Sequence, residues 1–285
     1  MIIISSDSTS DLNELFKTRN IPTLPLAVIL GDKSYEDGIT VTPDDIYAFV
    51  KENGILPKTA ARSVAEHKEF FSSIRKNKDD SIIHFTISGE ISVTAQNALE
   101  AAKAFDNVYV IDGKSLSTGT GLLVMYACDL RDSGKYSAKE IYEKCLARIP
   151  YVQASFFVDT MEYLYKGGRC SGLASFFATA LKLKPSLLLK DGKIVVGKKF
   201  RGSAMSIADK YVENIFDMYD NPDLKRIFIT HPSADPEVVK LVRDTVNKRY
   251  KFSEIYETIA SSTITSHCGK GTLGILFIND GPHEI

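Results

Sequence analysis

The chain has 285 residues, 44% hydrophobic and 25% charged, which is ordinary globular composition and enough length for two cores. A formal net charge of -1 gives no overall electrostatic case for nucleic acid. Cys128, Cys145, Cys170 and Cys268 form no CxxC pair or metal-ligand spacing, no apolar run approaches the ~20 residues of a membrane span, and the amino terminus has no basic leader. The expectation is a cytoplasmic protein without disulfides, metal or membrane insertion.

In chain order, Ile2–Ser5 reads as a buried β-branched strand. It leads into Asp7-Ser8-Thr9-Ser10-Asp11, where Ser8 or Ser10 is a candidate cap for a helix through Leu12, Leu15 and Phe16. Ile21–Leu30 reads as a second strand, and Thr42-Pro43-Asp44-Asp45 as a helix start. Ser81–Ile87 and Val108–Ile111 read as strands, with a helix carrying Ala95, Ala98, Leu99 and Ala102 between them and another around Leu122–Arg131 after them. This alternation predicts a parallel sheet with helices on both faces. The exits at Asp7, Ser88 and Asp112 would lie along one edge, where such sheets bind ligands. After Pro150 the pattern becomes mixed. A strand at Ser155–Val158, a helix at Ala174–Leu183 and a hairpin turning at Asp191-Gly192 are expected. A helix from Ser206 to Met218, a strand at Arg226–Thr230, a helix at Pro236–Arg249, and strands at Phe252–Glu257 and Leu273–Phe277 follow. The fold class predicted is α/β: an α/β domain over residues 1–150 and an α+β domain over 151–285.

Enzyme signatures are missing. There is no dinucleotide or phosphate loop, no His-Glu-x-x-His and no nucleophile elbow. Gly269-Lys270-Gly271-Thr272 lacks the upstream glycine and the residue order of a phosphate loop. What remains is a set of hydroxyl-rich or glycine-rich turns. The first is the Asp7–Asp11 stretch, and the second is Pro57-Lys58-Thr59-Ala60-Ala61-Arg62-Ser63; helix capping accounts for both. The third, Ser88-Gly89-Glu90-Ile91-Ser92-Val93-Thr94, offers more caps than one helix needs. Ser92 or Thr94 is therefore a candidate to face a cleft and hold an anionic head group. The fourth, Thr265–Gly271, sets His267 before two glycines and suggests a tight turn with exposed N–H groups. The fifth places Arg169 among glycines, to anchor an anion or an interface or simply to follow a helix end. The sixth, Gly197–Gly202, carries Arg201 in a basic stretch that is either a solvated hairpin end or a docking patch.

These six segments, in this order, resemble the DegV family of bacterial fatty-acid-binding proteins from residue 3 to about 277. The resemblance rests on Asp7–Leu12, Thr86–Ala98, Leu164–Ser171, Lys184-Pro185 through Arg201, and His267–Gly271. It implies two domains with an acyl chain buried between or within them. The carboxylate would be held by Thr59 and Ser92, with His267 close to the head group. It further implies a bound long-chain fatty acid such as palmitate as the ligand, no other cofactor and no catalysis by the chain alone. A separate fatty acid kinase would be the partner, feeding phospholipid synthesis. Arg169, Arg201 and Lys270 would serve the head-group region or kinase docking. Three positions depart from the family pattern: Ala60-Ala61-Arg62 after Thr59, Val93 in place of a glycine, and Lys270 in the last turn. Val93 would narrow the pocket. Two other readings compete: a stand-alone hydrolase or transferase using His267 with Ser92 or Asp7, and a lipid-sensing regulatory module.

Overall fold

The computed structural model describes residues 1–170 and 183–282. Short β-branched runs alternate with capped helices through the first 112 residues and build a parallel sheet. Its strands are β1 (Ile2–Asp7), β2 (Thr23–Leu24), β6 (Ser81–Thr86) and β7 (Val108–Asp112), in the order β2-β1-β6-β7. Side chains alternate across a strand, so Ile3, Ile82 and Val110 bury one face against α3 (Val64–Ile74) and α4 (Thr94–Ala102). Ile4, Ile83 and Ile111 bury the other face against α5 (Thr118–Ser133) and α6 (Ala138–Arg148). The exits at Asp7, Ser88 and Asp112 therefore do share one edge.

The reading of Ile21–Leu30 as one strand is corrected. Pro25 has no N–H to donate and ends the pairing with β1 after Leu24, and the chain crosses to a second sheet. There β3 (Ala27–Leu30) pairs antiparallel with β4 (Lys33–Glu36) and β5 (Lys58–Ala60), under α2 (Pro43–Asn53). Thr42 caps α2 in a capping box with Pro43 at the first turn, as expected. The cap assigned to Ser8 or Ser10 is also corrected. Both lie in a buried 3₁₀ turn (Ser8–Ser10), and α1 (Glu14–Thr18) starts later, after Asn13. The Ser8 hydroxyl is drawn into a tertiary bond, donating to Asp37, while the Ser10 hydroxyl accepts from that of Ser6.

The later residues form a six-stranded mixed sheet from β8 (Val152–Phe157), β9 (Leu183–Lys190), β10 (Lys193–Arg201), β11 (Arg226–His231), β12 (Glu254–Ile259) and β13 (Leu273–Ile278), ordered β10-β9-β8-β13-β11-β12. Asp191 and Gly192 both have positive φ, the conformation a two-residue hairpin needs. Between β8 and β9 lies α7 (Glu162–Gly167); most of the helix expected at Ala174–Leu183 lies outside the described residues. Helices α8 (Ala204–Met218) and α9 (Pro236–Arg249) cover one face around Tyr211, Phe216, Val242 and Phe277. The opposite face, through Ala154, Phe156, Leu187 and Leu276, joins the same core as α5 and β1. So α5 lies buried between two sheets, with 11 of its 16 residues inside. Gly119 permits this: a Cβ there would come within 3.0 Å of the Ala154 Cβ.

Candidate functional site

A cavity of about 760 Å³ opens where the exits of the parallel sheet meet the small antiparallel sheet, α7 and the β9–β10 hairpin. Its walls are mainly apolar: Leu26, Ile87, Ile91, Leu116, Leu164, Ile194, Ile264 and Cys268. Thr59, Glu90, Ser92, Thr263, Arg169, Lys193 and His267 supply its polar side chains, Glu90 paired with Lys193. Volume and lining fit a small-molecule site of the apolar-with-a-few-polar-groups kind.

Thr59 sits on β5, held there by pairing with Val28 of β3. His267 is not in a turn as the sequence suggested. It occupies the last turn of α10 (Ser262–Cys268), and the turn proper follows at Gly269 and Gly271, both with φ near +75°. Serine and threonine dominate α10, and their low helix propensity concealed it. The Thr59 hydroxyl and His267 Nε2 are hydrogen-bonded at 2.8 Å although 208 residues separate them. The His267 Nδ1 is shut off from solvent and has no hydrogen-bond partner among the described residues, and Gly167 permits close approach there: a Cβ on it would lie 2.7 Å from that nitrogen. Burial, and then the positive charge of Arg169, push the His267 pKa down to about 4, so the imidazole is neutral at neutral pH.

Ser92 lines the same cavity just ahead of α4. Its hydroxyl donates to Thr94 Oγ1 at 3.0 Å and accepts from the Thr94 N–H at 3.2 Å. The described bonds therefore pair His267 with Thr59 and Ser92 with Thr94, and form no Ser92–His267 dyad. Asp7 is bonded to Thr9 and the Ile87 N–H. Burial pushes the Cys268 thiol up to about 12, which leaves it un-ionised and a poor nucleophile. Arg169 lies exposed at the rim, its guanidinium donating to the Gly167 carbonyl. Val93 projects at the rim, 64% exposed. Arg201 and Lys270 are exposed and outside the described lining, at the end of β10 and in the turn after α10.

Sequence reading missed Thr263, which lies one turn before His267 on the same face of α10. The spacing was visible, but it becomes a signal only once the segment is known to be helical. Lys193 and Ile194 were also missed as wall residues. They arrive because the hairpin tip docks on the exit of β6: Ser88 donates to the Gly192 carbonyl at 2.8 Å and Lys193 pairs with Glu90 at 3.5 Å.

Behind the apolar wall lies a polar one. Asp7 accepts from the Ile87 N–H at 2.8 Å, and Ser8 accepts from the Leu26 N–H at 3.0 Å while donating to Asp37 at 2.8 Å. Asp11 accepts from the Ser117 hydroxyl at 2.5 Å and the Ser261 N–H at 2.9 Å, and Asp37 accepts from the Ser262 N–H at 2.7 Å. All three acids are buried. Burial raises Asp7 to about 6 and Asp11 to about 8, against the lowering effect of these hydrogen bonds.

The profile of the DegV family, described as uncharacterised proteins, matches residues 1–280. The chain belongs to the DegV family. Its relatives include Protein DegV of Bacillus subtilis, 27% identical over 96% of this chain and 98% of that one. A DegV domain-containing protein of Caldanaerobacter subterraneus is 29% identical over 97% and 98%. Among solved structures, a DegV family protein from Thermus thermophilus described by its fatty acid binding superimposes with a TM-score of 0.88, at 28% identity over 98% of this chain and 99% of that one. The fatty acid binding protein DegV of Bacillus subtilis gives 0.83 at 26% identity, and a stearic acid-binding protein from Eubacterium ventriosum 0.83 at 25%, each over 98% of this chain and at least 98% of the other. The α/β architecture with its parallel sheet is thus that of the DegV structures. Among the described residues no helix is long and apolar enough to cross a membrane, and no group of three or more metal-ligating side chains occurs.

Proposed function

We propose that this DegV family member binds a long-chain fatty acid, with its carboxylate at the Thr59, Ser92 and His267 end of the cavity and its acyl chain along the Leu26, Ile87, Leu116 and Ile264 walls. The observation that carries the reading is the Thr59–His267 hydrogen bond, in a mainly apolar cavity that Ser92 also lines. Neutral hydroxyls and a neutral imidazole suit a carboxylate, because they offer hydrogen bonds without burying a second charge. Burying a chain of about 16 carbons at ~0.8 kcal/mol per methylene supplies a gross term of order 10 kcal/mol, much of it offset by ordering and desolvation. The acyl chain thus supplies most of the affinity and the polar end sets orientation. The solved relatives named for fatty acid binding support the same ligand class.

The fuller reading is that the protein works in the cytoplasm as a non-catalytic carrier. A boundary near residue 150 separates its two domains, and a separate fatty acid kinase phosphorylates the presented carboxylate for phospholipid synthesis. Arg169 at the rim and the exposed Arg201 and Lys270 are the residues proposed to meet that partner. Mass spectrometry of organic extracts from the purified protein tests the ligand. Near-stoichiometric C16–C18 fatty acid is the expected result, and an extract empty of lipid together with no uptake of added fatty acid would overturn it.

A further inference from the structure

The cavity-lining side chains His267, Ile264, Thr263 and Cys268 all come from α10, a helix of only seven residues. A helix this short cannot hold itself in place, since nucleation costs more than its few bonds return. Three exposed helix starts are secured by a local serine or threonine cap alone: Thr42, Ser63 and Ser137 close capping boxes on α2, α3 and α6. The start of α10 has such a cap, Ser261 to the Ile264 N–H, and has more besides. The Ser261 N–H is bound by Asp11 and the Ser262 N–H by Asp37, both carboxylates fully inside the protein. Just upstream, the Asn13 side chain both donates to and accepts from the backbone of Ile259.

Burying carboxylates is costly, and capping alone does not call for it. What the acids add is connection. Through Ser8, Asp37 reaches the Leu26 N–H, and through Ser117, Asp11 reaches the residue beside Leu116. Leu26 and Leu116 are cavity walls. Two acids therefore tie two wall segments into one frame with the start of α10.

We infer that Asp11 and Asp37 are positioning residues of the cavity, which fix the N-terminus of α10 and through it the placement of His267 against Thr59. Neither acid lines the cavity in the described structure; both act through the helix. The ligand side of this inference rests on the proposed fatty-acid site, whereas the His267 side does not. A site whose supporting shell loosens loses affinity even where the residues that touch the ligand are intact.

The test compares Asp37→Ala and Asp11→Asn with Asp223→Asn, a change beside Arg148 on another part of the molecule. Each protein is measured three ways: its unfolding midpoint, its Kd for hexadecanoate well below that midpoint, and the imidazole nitrogen resonances and pKa of His267 in protein labelled with 15N-histidine. The Asp37→Ala protein is expected to bind hexadecanoate about tenfold more weakly and to move the His267 resonances, with its pKa drifting toward the ordinary histidine range. Asp11→Asn is expected to do the same to a smaller degree. Asp223→Asn is expected to lower the midpoint while Kd changes less than about twofold and His267 stays in place. Lowered midpoints in the Asp11 and Asp37 proteins, with wild-type Kd and wild-type His267 resonances, would overturn the inference. If Asp37→Ala does not fold, Asp37→Ser, too short to reach the Ser262 N–H as the carboxylate does, takes its place, and an unmoved His267 in that protein is equally fatal. Failure of the wild type to bind hexadecanoate would refute the fatty-acid site instead, and the His267 resonances would still decide the positioning role.

Discussion

Two regions of this molecule bury carboxylates, by opposite means. Around Arg148 the acids are paired with cations. The guanidinium reaches Asp280 at 2.6 Å and Asp223 at 2.9 Å, and nearby Asp129 is shared by Arg19, Lys225 and Arg226. Those cations hold the Asp129 carboxyl below its ordinary value although burial works the other way. Behind the cavity, Asp7 and Asp11 are bonded to hydroxyls and N–H groups, and burial wins, raising both. The difference teaches that here hydroxyl and N–H donors leave buried Asp7 and Asp11 raised, whereas close cations hold Asp129 down. The first region is a charged clamp. The second is a frame of hydrogen-bonded acids in which Asp11 holds its proton at neutral pH.

The largest effect is expected from breaking the clamp. Arg148→Ala leaves Asp223 and Asp280 buried without that partner and removes a guanidinium packed 4.5 Å over the Tyr126 ring. A loss of about 3–5 kcal/mol in urea unfolding is expected, and a loss within a few tenths would mean that the two regions are energetically alike.

The pH dependence of stability sharpens the contrast. Below its ordinary value of 3.8, Asp11 is protonated whether the chain is folded or not. Between there and about 8 only the folded protein keeps the proton, so its contribution is lost as pH rises through 8. Asp7 adds the same trend up to about 6. His267 runs the opposite way: its stability is present above the ordinary 6.5 and is lost as pH falls through about 4, and buried His84, pushed well down by burial, follows it. Wild-type stability should therefore peak in the mildly acidic range. Asp11→Asn should flatten the alkaline limb, where each proton is worth up to ~1.4 kcal/mol per pH unit. Parallel profiles for the two proteins between pH 6 and 9 would contradict the raised acid.

Removing the hydroxyl that the frame brings to His267 should show next. Thr59→Val keeps the β-branched shape that β5 tolerates. It is expected to weaken fatty acid binding about tenfold, by titration calorimetry, with little change in fold. The smallest effect belongs to an exposed cap. Ser137→Ala on α6 should cost about 1 kcal/mol and leave ligand affinity untouched, which separates a surface cap from the buried acids at the start of α10.

The sequence by itself determined the elements whose causes are local. The capping box at Thr42, the type of turn at Asp191-Gly192, and the alternation that puts Ile3 and Ile4 on opposite faces of one sheet all depend on neighbours a few residues apart. The capping box at Ser137 and Glu140, which opens α6, is equally local in its cause. The order of motifs was enough to place the chain in its family and to single out Thr59, Ser92 and His267, which share the cavity's lining. Tertiary structure decided the rest. The helix that carries His267 is rich in serine and threonine and takes its form from Asp11 and Asp37, far away in the chain. The hydroxyls of Ser8 and Ser10 read as caps because capping is what a nearby helix offers them. A distant carboxylate competed for Ser8, and no local pattern could announce it. Bonds across 208 residues, as between Thr59 and His267, depend on how sheets and helices stack, and that is set by the whole core at once.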